Sequence, residues 1–361
     1  MMKYKTMKLG EVANVTMGQS PKSQFYNQVG QGIEFLQGVR TFGNNYPKYD
    51  TYTTEYKKEA HEGDILFSVR APVGEINWAD RTVAIGRGLA SIEAKDGYSS
   101  KYLYYYLKKI GPRLDSKATG TVFTSINRNE LLDIDIIIPE NLEDQERLGN
   151  RLFILDKKIE LNNKINTNLL AIAKEKYQKM LASSLLTKTK LKDFATITMG
   201  QSPSSKTYNK EKQGVALLNG ATDFRNGIHP SKWTTDPKKV VNKGAYIFGV
   251  RATIGLTTKV FNKYAIGRGT GSAISKDTTN DEFLYFVLND MFKDFKNTGS
   301  GSVYINISKK DLNEYTFYKP KINELISFHQ TIAPIMNKIY TNNQENIVLT
   351  EIKENLLKQF F

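Results

Sequence analysis

Four arginines stand in this chain at matched spacing: Arg70 with Arg251 and Arg87 with Arg268, each pair 181 residues apart. Polar groups recur around them. Gln19-Ser20 returns as Gln201-Ser202, 182 residues on, inside the identical pentapeptides Met17-Gly18-Gln19-Ser20-Pro21 and Met199-Gly200-Gln201-Ser202-Pro203. Guanidinium forks fit phosphate oxygens and the acceptor edge of guanine, and carboxamides fit the edge of adenine. Such groups hold and discriminate; they do not break bonds. Residues that do are scarce: the sequence has no cysteine and three well-separated histidines, His61, His229 and His329. That excludes a thiol nucleophile and a Cys-ligated zinc, and argues against a histidine metal cage. Neither a G-x-x-x-x-G-K-[ST] phosphate loop nor an Asn/Asp-Pro-Pro-aromatic tetrapeptide occurs. Gly267-Arg268-Gly269-Thr270-Gly271 is glycine-rich but lacks the strand–loop–helix setting of a phosphate cradle.

The echo runs through the whole chain. Ser68-Val69-Arg70-Ala71-Pro72-Val73-Gly74 answers to Gly249-Val250-Arg251-Ala252-Thr253-Ile254-Gly255, and Ala84-Ile85-Gly86-Arg87-Gly88 to Ala265-Ile266-Gly267-Arg268-Gly269. Gly120-Thr121-Val122 and Ile126 match Gly301-Ser302-Val303 and Ile307. Self-similarity at a near-constant offset marks a tandem duplication. With 361 residues and 40% hydrophobic content, the chain can fill two ordinary cores. Its net charge of +14 points to a polyanionic partner, nucleic acid ahead of an acidic protein or a membrane surface. Met1 to Gly10 is lysine-rich with no apolar segment behind it, and no run approaches the ~18 apolar residues of a spanning helix. The reading is no signal peptide, no membrane and a cytoplasmic address.

Each repeat holds a mixed part and a helical part. Short β-like runs occur at Asp64–Val69, Asp135–Ile138 and Tyr246–Val250, interrupted by turns such as Gly43-Asn44-Asn45 and Arg225-Asn226-Gly227. A helix is expected at Lys101–Lys109 and at Glu282–Asn289, each with an aromatic stripe read as core. The helical parts carry a 4-3 stripe, the phasing of a coiled coil. Its pairing positions are Leu155, Ile159, Asn162, Asn166 and Leu169 in one copy, and Ile335, Ile339, Asn342, Asn346 and Leu349 in the other. A buried Asn costs stability but fixes register, so two asparagines at matching points predict two helices built to pair. The alternative is a solvated polar stretch. Pro334 predicts a break: short helices at about 142–150 and 322–332, a bend, then long helices at about 151–186 and 335–361. Since Phe361 aligns with Leu181 and Met1 with Ser183, the chain can close on itself as domain, helix, domain, helix.

Gly120-Thr121-Val122-x-x-x-Ile126, followed by Leu131, Pro139 and Glu143-Asp144-Gln145-Glu146, resembles the exit from a target recognition domain in the DNA specificity (S) subunits of type I restriction–modification systems. Leu9-Gly10-Glu11-Val12, Met17-Gly18-Gln19-Ser20-Pro21, Gly63-Asp64-Ile65-Leu66-Phe67-Ser68 and Gly86-Arg87-Gly88 are similar to the same family, and the likeness covers the whole chain. The second copy departs from the pattern, with Glu324-Leu325-Ile326-Ser327 in place of the acidic and amide cluster. If that cluster docks a partner, the two contacts are not equivalent. Family members are generally longer, which makes this a compact one.

The resemblance implies an α+β fold: two tandem mixed α/β target recognition domains separated by two long antiparallel coiled-coil helices, pseudo-two-fold and cyclically closed. The expected division is 1–140 and 190–320 for the recognition domains, 141–189 for the central and 321–361 for the C-terminal helical region. It also implies a non-catalytic subunit that binds a bipartite site on double-stranded DNA, one half per domain. Two modification subunits would transfer a methyl group from S-adenosylmethionine to adenine N6. Restriction/translocase subunits working with ATP and magnesium would add cleavage, and no cofactor is expected in this chain. The alternative is a basic coiled-coil DNA-binding or assembly protein without methyltransferase partners.

Residues identical in both domains cannot tell two half-sites apart, so they either hold the fold or grip phosphate. Arg70, Arg87, Arg251, Arg268, Gln19, Ser20, Gln201 and Ser202 fall in this class, with Lys22 beside them. For them the alternatives are a simple turn and an arginine paired with a buried carboxylate. Base readers should lie where the copies diverge, in 37–45 against 219–227 and in 116–119 against 296–298. Arg40, Asn44, Arg225 and Asn226 are the first choices, with Lys117 from the second region; the alternative for each is a solvated loop residue.

Overall fold

The computed structural model of the protein describes residues 2–115, 125–225, 227–251, 254–298 and 307–361. Lys117, Asn226 and the segments Gly120-Thr121-Val122 and Gly301-Ser302-Val303 lie outside them. The chain forms two compact units. The first comprises Met1–Glu160 with Val348–Phe361, so both ends of the chain belong to it; the second is Leu161–Ile347.

Each unit is built on one strand buried on both faces. In the first unit Ile65–Ser68 lies inside a four-stranded antiparallel sheet, ordered Ala13–Met17, Leu89–Ala94, Ile65–Ser68, Ile76–Trp78. Side chains alternate across a strand. Ile65 and Phe67 therefore enter the core under the helix Ser100–Asp115 (α1), while Leu66 joins a second apolar cluster with Leu36, Val83 and Ile85. That second cluster is lined by a five-stranded sheet, in which Ile33–Leu36 runs parallel to Val83–Ile85. The aromatic stripe of α1 is core: Tyr102, Tyr104 and Tyr105 are fully buried, and Trp78 stacks on Tyr104 with ring centroids 4.2 Å apart. Tyr4–Lys8 pairs antiparallel with Asp135–Pro139 and ties off the domain.

The second unit repeats this. Tyr246 and Phe248 face the core under the helix Asp281–Thr298, and Ile247 faces the cluster holding Leu218 and Ile266. Its four-stranded sheet has the order Ala195–Met199, Thr270–Ser275, Tyr246–Gly249, Thr257–Lys259, and Thr187–Lys190 pairs with Thr316–Lys319.

The long helices correct one expectation. Taking Leu142–Ser183 as α2, Asp281–Thr298 as α3 and Ile322–Phe360 as α4, both α2 and α4 run unbroken through the expected bends. Pro334 sits inside α4, not at its start. A helical proline forfeits one backbone hydrogen bond and crowds the preceding turn, at a cost of about 3 kcal/mol. Here Leu325, Phe328 and Ile332 before it and Ile335 and Met336 after it pack into the same apolar cluster, which holds both halves in line. Leu148 and Leu152 likewise share one core, so nothing separates 142–150 from the rest of α2.

Within the second unit α2 and α4 run antiparallel through rungs of asparagine. Asn162 Nδ2 donates to Asn346 Oδ1 at 2.9 Å and to Glu345 Oε2 at 2.8 Å, and Asn342 Nδ2 donates to Asn166 Oδ1 at 2.8 Å. Asn166 Nδ2 donates to Asn343 Oδ1 and Asn346 Nδ2 to Asn163 Oδ1. Asn162 and Asn342 are almost fully buried, so a register slip would strand their amides without partners. The other pairing positions, Leu155, Ile159, Leu169, Ile335, Ile339 and Leu349, are each partly buried along their helices.

Candidate nucleic-acid interface

The duplicated motifs meet. In the first unit the Gly18 N–H donates to the Leu89 carbonyl at 2.9 Å and the Gln19 N–H to that of Ile85 at 2.9 Å. Ser20 Oγ accepts the Arg87 N–H at 3.1 Å. The Gly88 N–H reaches the Gln37 carbonyl at 3.1 Å, and the Val69 N–H reaches the Gly88 carbonyl at 3.0 Å. Four turns far apart in sequence, at 18–20, 37–38, 69–70 and 86–88, thus form one edge. The second unit has the same edge: Gly200 to Thr270 at 2.9 Å, Gln201 to Ile266 at 3.0 Å, Val250 to Gly269 at 3.1 Å, and Arg268 to Ser202 Oγ at 3.2 Å.

This explains the glycines. A Cβ at Gly18 would overlap the carbonyl oxygen of Gly86, and one at Gly200 that of Gly267, with backbone that cannot swing aside. Gly18→Ala is therefore expected to cost about 1–3 kcal/mol by overpacking. The loss should appear as faster amide exchange in the turns of the first unit while the second keeps its protection. Unchanged exchange at 85–89 would show that the contact is not close-packed.

The arginines are held by their backbones, and their side chains are free to project. Arg70, Arg87, Arg251 and Arg268 are all exposed, and among the described residues none of the four is in an ion pair with a carboxylate. Gln19, Gln201 and Lys22 are exposed beside them, while Ser20 and Ser202 are partly buried because they lock the turns. Serine is thus a clamp in both units.

The divergent stretch is placed differently from residue to residue. Arg40 lies in a short 3-10 turn, and its guanidinium makes a bidentate pair with Asp50 at 2.8 and 2.7 Å. The hydrogen bonds from Arg40 hold the Asp50 carboxyl below the usual carboxylate range. Reading guanine with Arg40 would mean exchanging Asp50 for the base. Asn44 is exposed, and its carbonyl accepts from Lys108 Nζ at 3.1 Å. Lys108 also donates to Asn45 Oδ1 at 3.0 Å and to the Tyr104 hydroxyl at 3.2 Å; burial pulls its ammonium down to about 8. This anchor from α1 under the loop gave no signal in the sequence, where it reads as one more helix lysine. Arg225 is exposed and bridges to Gly227.

Part of the acidic and amide cluster proves structural. Gln145 is buried, accepts the Ser99 N–H at 3.0 Å and donates to the Pro139 carbonyl at 2.9 Å, joining the tying-off strand to the start of α1. Counted from the first residues of α2 and α4, Leu325 rather than Ile326 stands where Gln145 does, and it is buried in apolar surroundings. The two junctions are filled by different chemistry. Among the described residues no three His, Asp or Glu side chains gather to hold a metal, and no helix is long and apolar enough to cross a membrane.

Residues 1–171 and 185–354 each match the family model of the type I restriction modification DNA specificity domain. The chain belongs to this family. It carries the specificity domain twice. One relative is the putative type I restriction enzyme MjaX specificity subunit of Methanocaldococcus jannaschii, 40% identical over 174 residues, 48% of this chain and 40% of that protein. The match therefore spans well under two thirds of that relative's length. The MjaIX specificity subunit of the same organism is 24% identical over 336 residues, covering 82% of this chain and 76% of the relative. The crystal structure of a type I S subunit from M. genitalium shares the fold, with a TM-score of 0.71 and 18% identity over 100% of this chain and 96% of that one. The two arginine-bearing edges stand at matching places in the two specificity domains.

Proposed function

We propose that the protein is the DNA-reading subunit of a type I restriction–modification assembly. It binds a bipartite duplex site, one half per unit, and carries two modification subunits that methylate adenine at N6. The observation that supports this best is the duplicated edge: the same four turns, locked by the same serine and glycine contacts, present the same exposed arginines in both units. Phosphate contacts position a protein on DNA and base contacts specify the sequence. Arg70, Arg87, Arg251 and Arg268 supply the first, and residues that differ between the copies supply the second. The chemistry of methyl transfer belongs to the partners, which bring S-adenosylmethionine; restriction/translocase subunits, where they join, bring ATP and magnesium.

The test is selection from a pool of random duplexes by the full chain, followed by sequencing of the bound fraction. Two short motifs at a fixed separation are the expected result. A single motif would leave one unit without a reader's role, and binding without any sequence preference would reduce the protein to a basic assembly factor. Co-purified modification subunits should then methylate adenine within the same bipartite motif, read by methylation-sensitive sequencing.

A further inference from the structure

Among the turn residues 18–20, 37–38, 69–70 and 86–88 and their counterparts 200–202, 219–220, 250–251 and 267–269, one position differs between the copies. It is Gln37 in the first unit and Asn219 in the second, 182 residues apart. Both are exposed. The Gln37 carbonyl accepts from the Gly88 N–H, and a Cβ at Gly86 would stand 3.0 Å from the Gln37 Cα, so its backbone is seated across Gly86-Arg87-Gly88. Asn219 is seated in the same way across Gly267-Arg268-Gly269, where side chains on either glycine would collide with it. Both amides therefore leave the backbone next to an exposed arginine and next to the Ser20 or Ser202 clamp.

Asn219 is also oriented. Ser202 Oγ donates to Asn219 Oδ1 at 3.2 Å, while the same serine accepts the Arg268 N–H. That leaves the second lone pair of Oδ1 and both Nδ2 hydrogens for an outside partner, since no partner of Nδ2 occurs among the described residues. A side chain locked by its neighbours on a rigid edge is what a precise reader requires. Gln37 presents the same acceptor and donor one methylene further out. Arg40, the other strong candidate in the stretch, is occupied by Asp50.

We propose that Gln37 and Asn219 are base-reading residues, each hydrogen-bonding the edge of an adenine in its own half-site. A carboxamide accepts from adenine N6 and donates to N7, a pair of bonds that no other base offers in the major groove. Arg87 and Arg268 beside them grip the phosphates that hold the amide at its base pair. The assignment rests on the reading of the chain as a bipartite DNA reader, which it makes specific.

The experiment is selection from random duplexes by the full-length chain and its variants Gln37→Ala, Asn219→Ala and Gln37→Asn, with sequencing of bound fractions and a thermal melt of each protein. Gln37→Ala is expected to lower discrimination about ten- to hundredfold at one adenine of one half-site. The other half-site, the spacing and the melting temperature should stay unchanged. Asn219→Ala should do the same at one adenine of the opposite half. Gln37→Asn keeps the chemistry with less reach, and should retain the adenine preference more weakly. An unchanged motif, or a loss spread evenly over all sequences, would overturn the assignment while leaving the bipartite reading intact. Absence of any motif with the unaltered chain would overturn that reading and the assignment with it.

Discussion

Removing either partner of the Asp156–Lys353 pair should destabilise the first unit by about 3–5 kcal/mol, the range found when one member of a buried ion pair is deleted. Lys353 Nζ lies 2.7 Å from Asp156 Oδ1, with side chains 17% and 7% exposed, and the Tyr105 hydroxyl donates to the other carboxylate oxygen at 2.8 Å. Asp156→Ala would leave an ammonium and a phenol without their acceptor; Lys353→Ala would leave a buried carboxylate with the Tyr105 hydroxyl but without its cation. The repeat supplies the control. At the same 180-residue offset that relates Asn162 to Asn342, Asp156 corresponds to Met336 and Lys353 to Ala173. Both of these belong to the apolar cluster of the second unit. The double variant Asp156→Met, Lys353→Ala is therefore expected to recover most of what either single change loses, because no charge remains buried alone. Protection of α1 amides against hydrogen exchange reports on the first unit separately. Single variants within about 1 kcal/mol of the parent would show that the pair is solvated, contrary to its burial.

The pair also shows where the sequence stops being legible. The 4-3 stripe was visible because Leu, Ile and Asn recur at its positions. Lys353 fills the slot between Leu349 and Leu356, and Asp156 follows Leu155, but a charged residue in a seam reads as solvent-facing until its partner is known. The aromatic helices and the doubly buried strands were legible for the opposite reason: Tyr102 to Leu107 and Ile65 to Phe67 are continuous apolar runs. The unbroken run of α4 was not, because tolerance of Pro334 depends on Ile332, Ile335 and Met336 meeting one cluster from both sides. The five-stranded sheets were missed too. Strands two residues long, such as Tyr26–Asn27, Tyr52–Thr53 and Glu59–Ala60, are too short to show alternation.

At the candidate interface the repeated motifs were plain in the sequence, but the reason for their repetition was not. Gly-Gln-Ser-Pro and Gly-Arg-Gly are conspicuous as words; only folding shows that each is the other's packing surface. Two glycines stacked backbone on backbone require both copies to stay glycine, and a serine bridging to the next backbone N–H requires both to stay serine. The motif therefore carries a structural duty and, through the arginine it leaves exposed, a candidate binding one. Residues 116–119, where the copies also diverge, lie outside the described part of the chain, and with them Lys117.

Replacing all four edge arginines, Arg70, Arg87, Arg251 and Arg268, with alanine should have the largest effect on DNA binding. Each arginine that neutralises one phosphate contributes about 0.9 to the slope of log K against log salt. Four such contacts amount to a slope of about 3.6, so raising salt from 50 to 200 mM should weaken the parent by about 150-fold more than the variant. The effect should be the same on cognate and unrelated duplexes, since phosphate is alike everywhere and the same arginines serve both units. Stability should hold, because these side chains are exposed and none is in an ion pair among the described residues. Titrations of one cognate and one scrambled duplex at four salt concentrations decide the matter. An unchanged slope would mean that the basic charge acts from elsewhere on the surface. A loss confined to the cognate duplex would make the arginines readers of bases, and two copies of one reader would then demand two half-sites that share a base.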